Sequence, residues 1–220
     1  MVNTSLVFLD VETTGLKPRE HGIHQFSGIF EVDGEVVDEF DYHLRVPAYK
    51  EFSPEALDMA QYTKEMLISP DRMEIKDAYL DLKPKLEKYG GKYVYGGPDE
   101  DKRLVVVGYN AQFDIDFLKG FWTDLKRVGV VRGNEHFHSW FNYYYVDMYR
   151  EAAFLRAKGF LKTDRLKLEV VAEALGIKFK AHDSLEDSKA TREFFHMVGK
   201  SFQGDVFNRL IKEAQDGERT

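Results

Sequence analysis

The chain predicts an α/β fold on a mixed five-stranded sheet with helices on both faces. Three observations predict it: two β-rich runs flanking Asp33-Gly34, two later apolar runs separated by a helix-length segment, and helical spacing only after residue 53. Strands that come first as a meander and then alternate with helices give a sheet that is antiparallel early and parallel late.

Ser5-Leu6-Val7-Phe8-Leu9 is a short apolar run bounded by polar residues and reads as a buried strand. It delivers Asp10 and Glu12 at its end, and their i, i+2 spacing puts both carboxylates on one face. Gly15 then breaks the strand. Residues 23–32 and 35–44 read as the next two strands, joined at Asp33-Gly34, where both turn residues must tolerate positive φ. Ser53 ahead of Pro54 is a helix start, with proline at the first helical position. Ile75, Tyr79, Leu82 and Leu86 give helical spacing across 75–89, with Pro84 a kink or break and Gly90-Gly91 the end. Residues 92–103 are glycine-rich, then charged, and read as a surface insertion with room for a small hairpin around Tyr93-Val94-Tyr95. Leu104 to Gly108 is the clearest buried strand. The helix after it, 113–128, lines up Phe117, Leu118, Phe121 and Leu125 and carries Asp114 in its first turn. A long loop rich in histidine and aromatics covers 129–142, and Tyr143 to Val146 forms the last strand. Helices are expected from about Asp147, Leu166 and Leu185, then an amphipathic helix over Val206–Ala214 and a loose tail at 215–220.

The 220 residues are 43% hydrophobic, enough for a sizeable core, and no linker or repeat divides them, so one domain over 1–220 is expected. No stretch has the apolar length of a membrane span, and Met1 to Ser5 shows neither a basic region nor a cleavage site. An intracellular, cytoplasmic setting is expected, and the absence of cysteine rules out disulfides and thiolate metal sites. The net charge of −7 argues against a protein that only binds nucleic acid. Two bound divalent ions would bring it to about −3, which favours short substrate contacts over duplex wrapping.

Asp10, Glu12, Asp114 and Asp187, with His182, are the candidate catalytic set. Four carboxylates gathered by folding would hold two hard divalent cations, Mg2+ or Mn2+, and a histidine beside them would take a proton from water. That combination suits in-line attack on a phosphodiester. Each fragment has an ordinary reading by itself: a solvated strand end, a helix cap, an accidental His-x-x-x-x-Asp. The order in which they occur is more telling. Asp10-Val11-Glu12-Thr13-Thr14-Gly15-Leu16, Asn110-Ala111-Gln112-Phe113-Asp114 with Phe117-Leu118, and His182 with Leu185, Asp187, Ala190 and Thr191 resemble the three motifs of the DEDDh, or DnaQ-like, 3′–5′ exonuclease family. Weaker similarity runs through Pro54-Glu55-Ala56-Leu57, Asp147 and 166–177, so the resemblance spans about 5–196 with gaps. Tyr109 departs from the histidine common in the family, Ser184 from a smaller residue such as alanine, and 92–103 has no counterpart.

The resemblance implies an RNase H-like fold and a two-metal 3′–5′ exonuclease that releases nucleoside 5′-monophosphates from single-stranded 3′ ends. Asp10, Glu12, Asp114 and Asp187 would be the metal ligands, Asp10 bridging, and His182 the general base. Thr13, Thr14, Gly15 and Leu16 would contact the terminal nucleotide, Leu16 beside the last base. Phe113 would stack on or shape that pocket, or simply pack in the core; Asn110 would bond substrate or hold its loop. DNA is the expected substrate, in proofreading or repair with a polymerase or repair partner. The alternatives are RNA trimming similar to RNase T or oligoribonuclease, and a partner-dependent accessory subunit. The other six histidines (His21, His24, His43, His136, His138, His196) take ordinary structural roles. The run Trp140 to Tyr145 is core packing or a stacking platform. Lys162, Arg165 and Lys167 either face water or touch phosphates. Oligomeric state is not legible.

Overall fold

The computed structural model describes residues 5–93 and 102–201. Among these, β1 (Ser5–Thr13), β2 (Ile23–Val32), β3 (Glu35–His43), β4 (Leu104–Gly108) and β5 (Phe141–Asp147) form one sheet in the order β3-β2-β1-β4-β5. The first three pair antiparallel; β4 joins β1, and β5 joins β4, in parallel. The expected RNase H-like mixed sheet is therefore present. Asp33 and Gly34 both take positive φ, 52° and 87°, as the β2–β3 turn demands.

The helices are α1 (Pro54–Ala60), α2 (Lys64–Leu67), α3 (Ile75–Tyr89), α4 (Ala111–Arg127), α5 (Met148–Ala157), α6 (Leu168–Leu175) and α7 (Ser184–Ser201). They cover both faces. Val7, Leu9 and Val11 pack with α3 and α4, while Leu6 and Phe8 pack with α5, α6 and α7. The period of two along β1 thus sorts its side chains into two cores. Asp10 and Glu12 continue the Leu6–Phe8 parity and emerge on the side of α7.

The first strand runs through Thr13, as a break at Gly15 implies, and β2 pairs Asp10 with Ser27 and Glu12 with Gln25 before a bulge follows. The two acids therefore stand inside a paired strand. Several expectations need correction. Pro84 does not end α3. Leu80, whose carbonyl it leaves without a partner, is exposed, so water can satisfy that oxygen. The aromatic run splits: Trp140 and Phe141 are buried, whereas Tyr143 and Tyr144 are 66% and 63% exposed on the edge strand β5. The short helix α2, capped by Thr63, has too few residues to show a period. The helix expected over 206–214, the tail at 215–220 and most of the insertion, residues 94–101, lie outside the described residues. No described helix is long and apolar enough to cross a membrane.

Candidate active site

The acids meet where β1 extends past the end of β4. Asp10, Glu12 and Asp187 each offer a carboxylate oxygen, and the three atoms lie within 4.8 Å of one another. Asp114 arrives from the first turn of α4. It is 3% exposed, and its Oδ1 accepts the Val11 N–H at 3.0 Å, so the helix docks on the strand between the other two acids.

Two turns aim these helices. Asn110 sits between β4 and α4 in the left-handed conformation, φ 62°, which asparagine tolerates better than most residues. Its N–H donates to Asp147 Oδ1 at 2.9 Å, and the same oxygen caps α5 by accepting the Tyr149 N–H. The backbone of Asn110 thus ties the loop to α5. At α7, Asp183 Oδ1 accepts from the backbone N–H groups of Leu185 and Glu186. His182 precedes it at φ 66°, exposed, and its charge acts on Glu12.

The first turn of α7 is also fastened from below. Ser184 is fully buried, and its Oγ lies 2.5 Å from Ser27 Oγ on β2. Ser27 spends its own proton on Asp41 Oδ1, so Ser184 is the donor in this pair. The Ser184 N–H points to Gln25 Oε1, and Gln25 Nε2 donates to the same Asp41 oxygen.

Burial, reinforced by the charges of Asp114, Asp187 and Glu12, holds the Asp10 carboxyl well above the usual range. Burial raises Asp114 as well, against the pull of the Val11 N–H. Glu12 is raised by burial and eased by His182. Burial and then the Glu12 charge push Asp187 up to about 8. Anionic oxygens held this close without a cation repel one another, and a hard divalent ion would relieve that repulsion. The donor set fits Mg2+ or Mn2+.

Beside the acids lies a slot of about 400 Å³. Gly15 and Leu16 form one wall, Ala56 and Met59 of α1 another, with Phe113, Glu12 and His182 completing it. Leu16 is 81% exposed, an apolar side chain held at the mouth. Phe113 lines the slot while packing on Phe117 with ring centroids 4.8 Å apart. Thr14 is buried, and its hydroxyl donates to the Glu51 carbonyl and accepts the Gly22 N–H. The Thr13 hydroxyl donates to the Gly15 carbonyl. These hydroxyls hold the loop in shape. Gly15 itself is required by close approach, since a Cβ there would meet the His21 ring at 2.4 Å. A larger groove of about 690 Å³ between β3 and α7 is lined by none of the acids.

The α1 wall and the Ser27–Ser184 pair were missed in the sequence. The start of α1 was legible at Ser53-Pro54, but not its place beside the acids; for Ser184 the only signal was the departure from a smaller residue.

No family model matches the chain. The PolC-type DNA polymerase III of Thermotoga petrophila is 28% identical over 194 residues, covering 88% of this chain and 12% of that protein. Its counterpart from Thermotoga maritima is 29% identical over 194 residues, with the same coverage. Exonuclease I from Methylocaldum szegediense superposes with a TM-score of 0.65 at 22% identity, covering 95% of this chain and 43% of its own. Exonuclease I of E. coli, solved with a dT13 oligonucleotide, gives 0.66 at 18% identity, covering 94% and 43%. The shared fold carries the acids in the expected order on β1, α4 and α7. The fold is that of the exonuclease I structures, RNase H-like. The chain spans about an eighth of the length of the curated relatives it matches and less than half of those structural neighbours.

Proposed function

We propose that the chain is a metal-dependent 3′–5′ exonuclease that removes nucleoside 5′-monophosphates from the 3′ end of single-stranded DNA. The observation that carries this reading is the meeting of Asp10, Glu12 and Asp187 within 4.8 Å, with Asp114 hydrogen-bonded between the first two. These four residues would hold two divalent cations, which, when bound, supply charge stabilisation for the entering and leaving oxygens of the displacement.

The protein's own residues do the rest. Exposed at the rim on a left-handed turn, His182 takes the proton of the attacking water. The apolar slot receives the terminal base between Leu16 and Met59, with Phe113 behind, and selects little among bases because every base has a π-face. Glu12 borders both the slot and the acid cluster, which supports a last phosphodiester lying over the cluster. Exposure of the slot mouth suits a free end, and the net charge of −7 disfavours long duplex contacts.

DNA is favoured because the curated relatives are DNA polymerases and the structural neighbour was solved with a DNA oligonucleotide. The same relatives support a polymerase partner in an intracellular setting. The test uses 5′-labelled single-stranded DNA and RNA of one sequence with Mg2+, Mn2+ or EDTA. A metal-dependent ladder that shortens from the 3′ end, faster on DNA, supports the proposal; internal cuts, or an equal ladder in EDTA, would overturn it.

A further inference from the structure

The segment 148–167, comprising α5 and the return to α6, stands apart from the rest of the molecule in charge. Six of its residues are basic and two acidic, in a chain of net charge −7. Its aromatic residues are also exposed: Tyr149, Phe154 and, most of all, Phe160 at 78%.

Both ends of this hairpin are anchored beside the acids. Asp147, which caps α5, accepts the Asn110 N–H, and the Tyr109 hydroxyl donates to the Leu166 carbonyl at 2.6 Å. Tyr109 and Asn110 immediately precede α4 and its Asp114. At about 1.5 Å per residue, α5 carries the tip roughly 15 Å from that anchor.

The tip is rigidly built. Gly159 takes φ 78°, its N–H donates to the Arg156 carbonyl, and the Phe160 N–H donates to Leu155 at 2.9 Å. Leu161 then plunges into the second core, 5% exposed. A buried residue on one side and a closed turn on the other leave the Phe160 ring standing in water between Lys158 and Lys162. The ion pairs that occupy the other bases are loose and exposed: Arg150 with Asp147 at 3.4 Å, Arg165 with Asp164 at 3.7 Å, Lys167 with Glu169 at 3.4 Å. Such pairs contribute little and exchange readily for a phosphate.

We infer that the α5–α6 hairpin binds the single strand upstream of the reacting 3′ end, with Phe160 stacking on a base and Lys158, Lys162 and Arg165 bonding phosphates. This rests on the exonuclease reading above. The pairing of cationic side chains with exposed ring faces along one fixed element, continuous with the acid cluster, is what single-stranded nucleic acid requires, and a protein partner would not call for so cationic a rim. It also answers the charge problem of the chain: a basic element leads to the site while the acidic balance lies elsewhere.

The test compares the full chain with Phe160→Ala and with Lys158→Gln/Lys162→Gln, in Mg2+, on the p-nitrophenyl ester of thymidine 5′-phosphate and on single-stranded DNA of four and twenty nucleotides. The ester reaches only the catalytic centre. Expected are unchanged ester turnover and unchanged kcat on the 20-mer, a KM on the 20-mer raised about tenfold, and a shallower dependence of KM on salt for the lysine variant. Variants that keep ester turnover and the wild-type KM for the 20-mer would overturn the hairpin's role. Wild-type protein that turns over neither ester nor DNA would overturn the exonuclease reading, and this inference with it.

Discussion

Ser27 and Ser184, 157 positions apart, share a buried hydrogen bond of 2.5 Å that fastens the first turn of α7 to β2. Because that turn carries Asp187 and His182 lies two residues ahead of it, the bond fixes where they stand relative to Asp10 and Glu12 on the neighbouring strand.

Ser184→Ala removes one neutral hydrogen bond while leaving Ser27 bonded to Asp41, so it should cost about 1 kcal/mol and keep most activity. Ser184→Val adds two methyl groups to a site with no exposed surface and should cost about 1–3 kcal/mol while lowering kcat more than it raises KM. Denaturant melts and steady-state kinetics on both variants separate the two effects.

The acid cluster makes the metal-free protein sensitive to alkali. The folded pKa of Asp187 is about 8, above its ordinary 3.8. The native state therefore holds a proton that the unfolded chain gives up. This favours folding fully below about pH 4 and is lost as pH rises towards 8. In EDTA the Tm should fall across that window. Mn2+ or Mg2+ should restore it most at the alkaline end, and Asp187→Asn should flatten the profile. Thermal melts from pH 4 to 9 with and without metal check this.

Gly15→Ala forces a methyl group against the His21 ring, whose Nδ1 is held by the Lys17 N–H. The ring cannot simply swing away, so the Thr13–Leu16 turn should shift. A rise in KM for oligonucleotides beyond tenfold, with kcat much less affected, is expected in single-turnover and steady-state assays.

His182→Asn should lower kcat by about 10²–10⁴ while leaving Mn2+ affinity, read by calorimetry, within about twofold. A base missing from the rim affects proton transfer; the four carboxylates remain.

Much of this was legible because local chemistry and tertiary role coincide. Asp33-Gly34 is a turn whatever surrounds it, and β2, α3 and β4 begin and end where their apolar pattern does. The acids were legible as a set only through their order. What escaped depends on neighbours distant in sequence. The survival of α3 through Pro84 follows from the exposure of Leu80. Trp140 and Phe141 part from Tyr143 and Tyr144 because β5 is an edge strand. The hydroxyls of Ser27 and Ser184 carry no signal until β2 and α7 are packed together, and Met59 becomes a wall only once α1 faces Leu16.

The central claim is that Asp10 and its neighbours form the centre that cleaves the phosphodiester. The measurement that tests it most directly is the rate at which Asp10→Ala releases 5′-monophosphates from single-stranded DNA at saturating Mg2+, beside wild type and a melt of each. The account predicts a loss of about a thousandfold, some 4 kcal/mol of transition-state stabilisation, in a variant that remains folded. A folded Asp10→Ala protein within tenfold of the wild-type rate would contradict it.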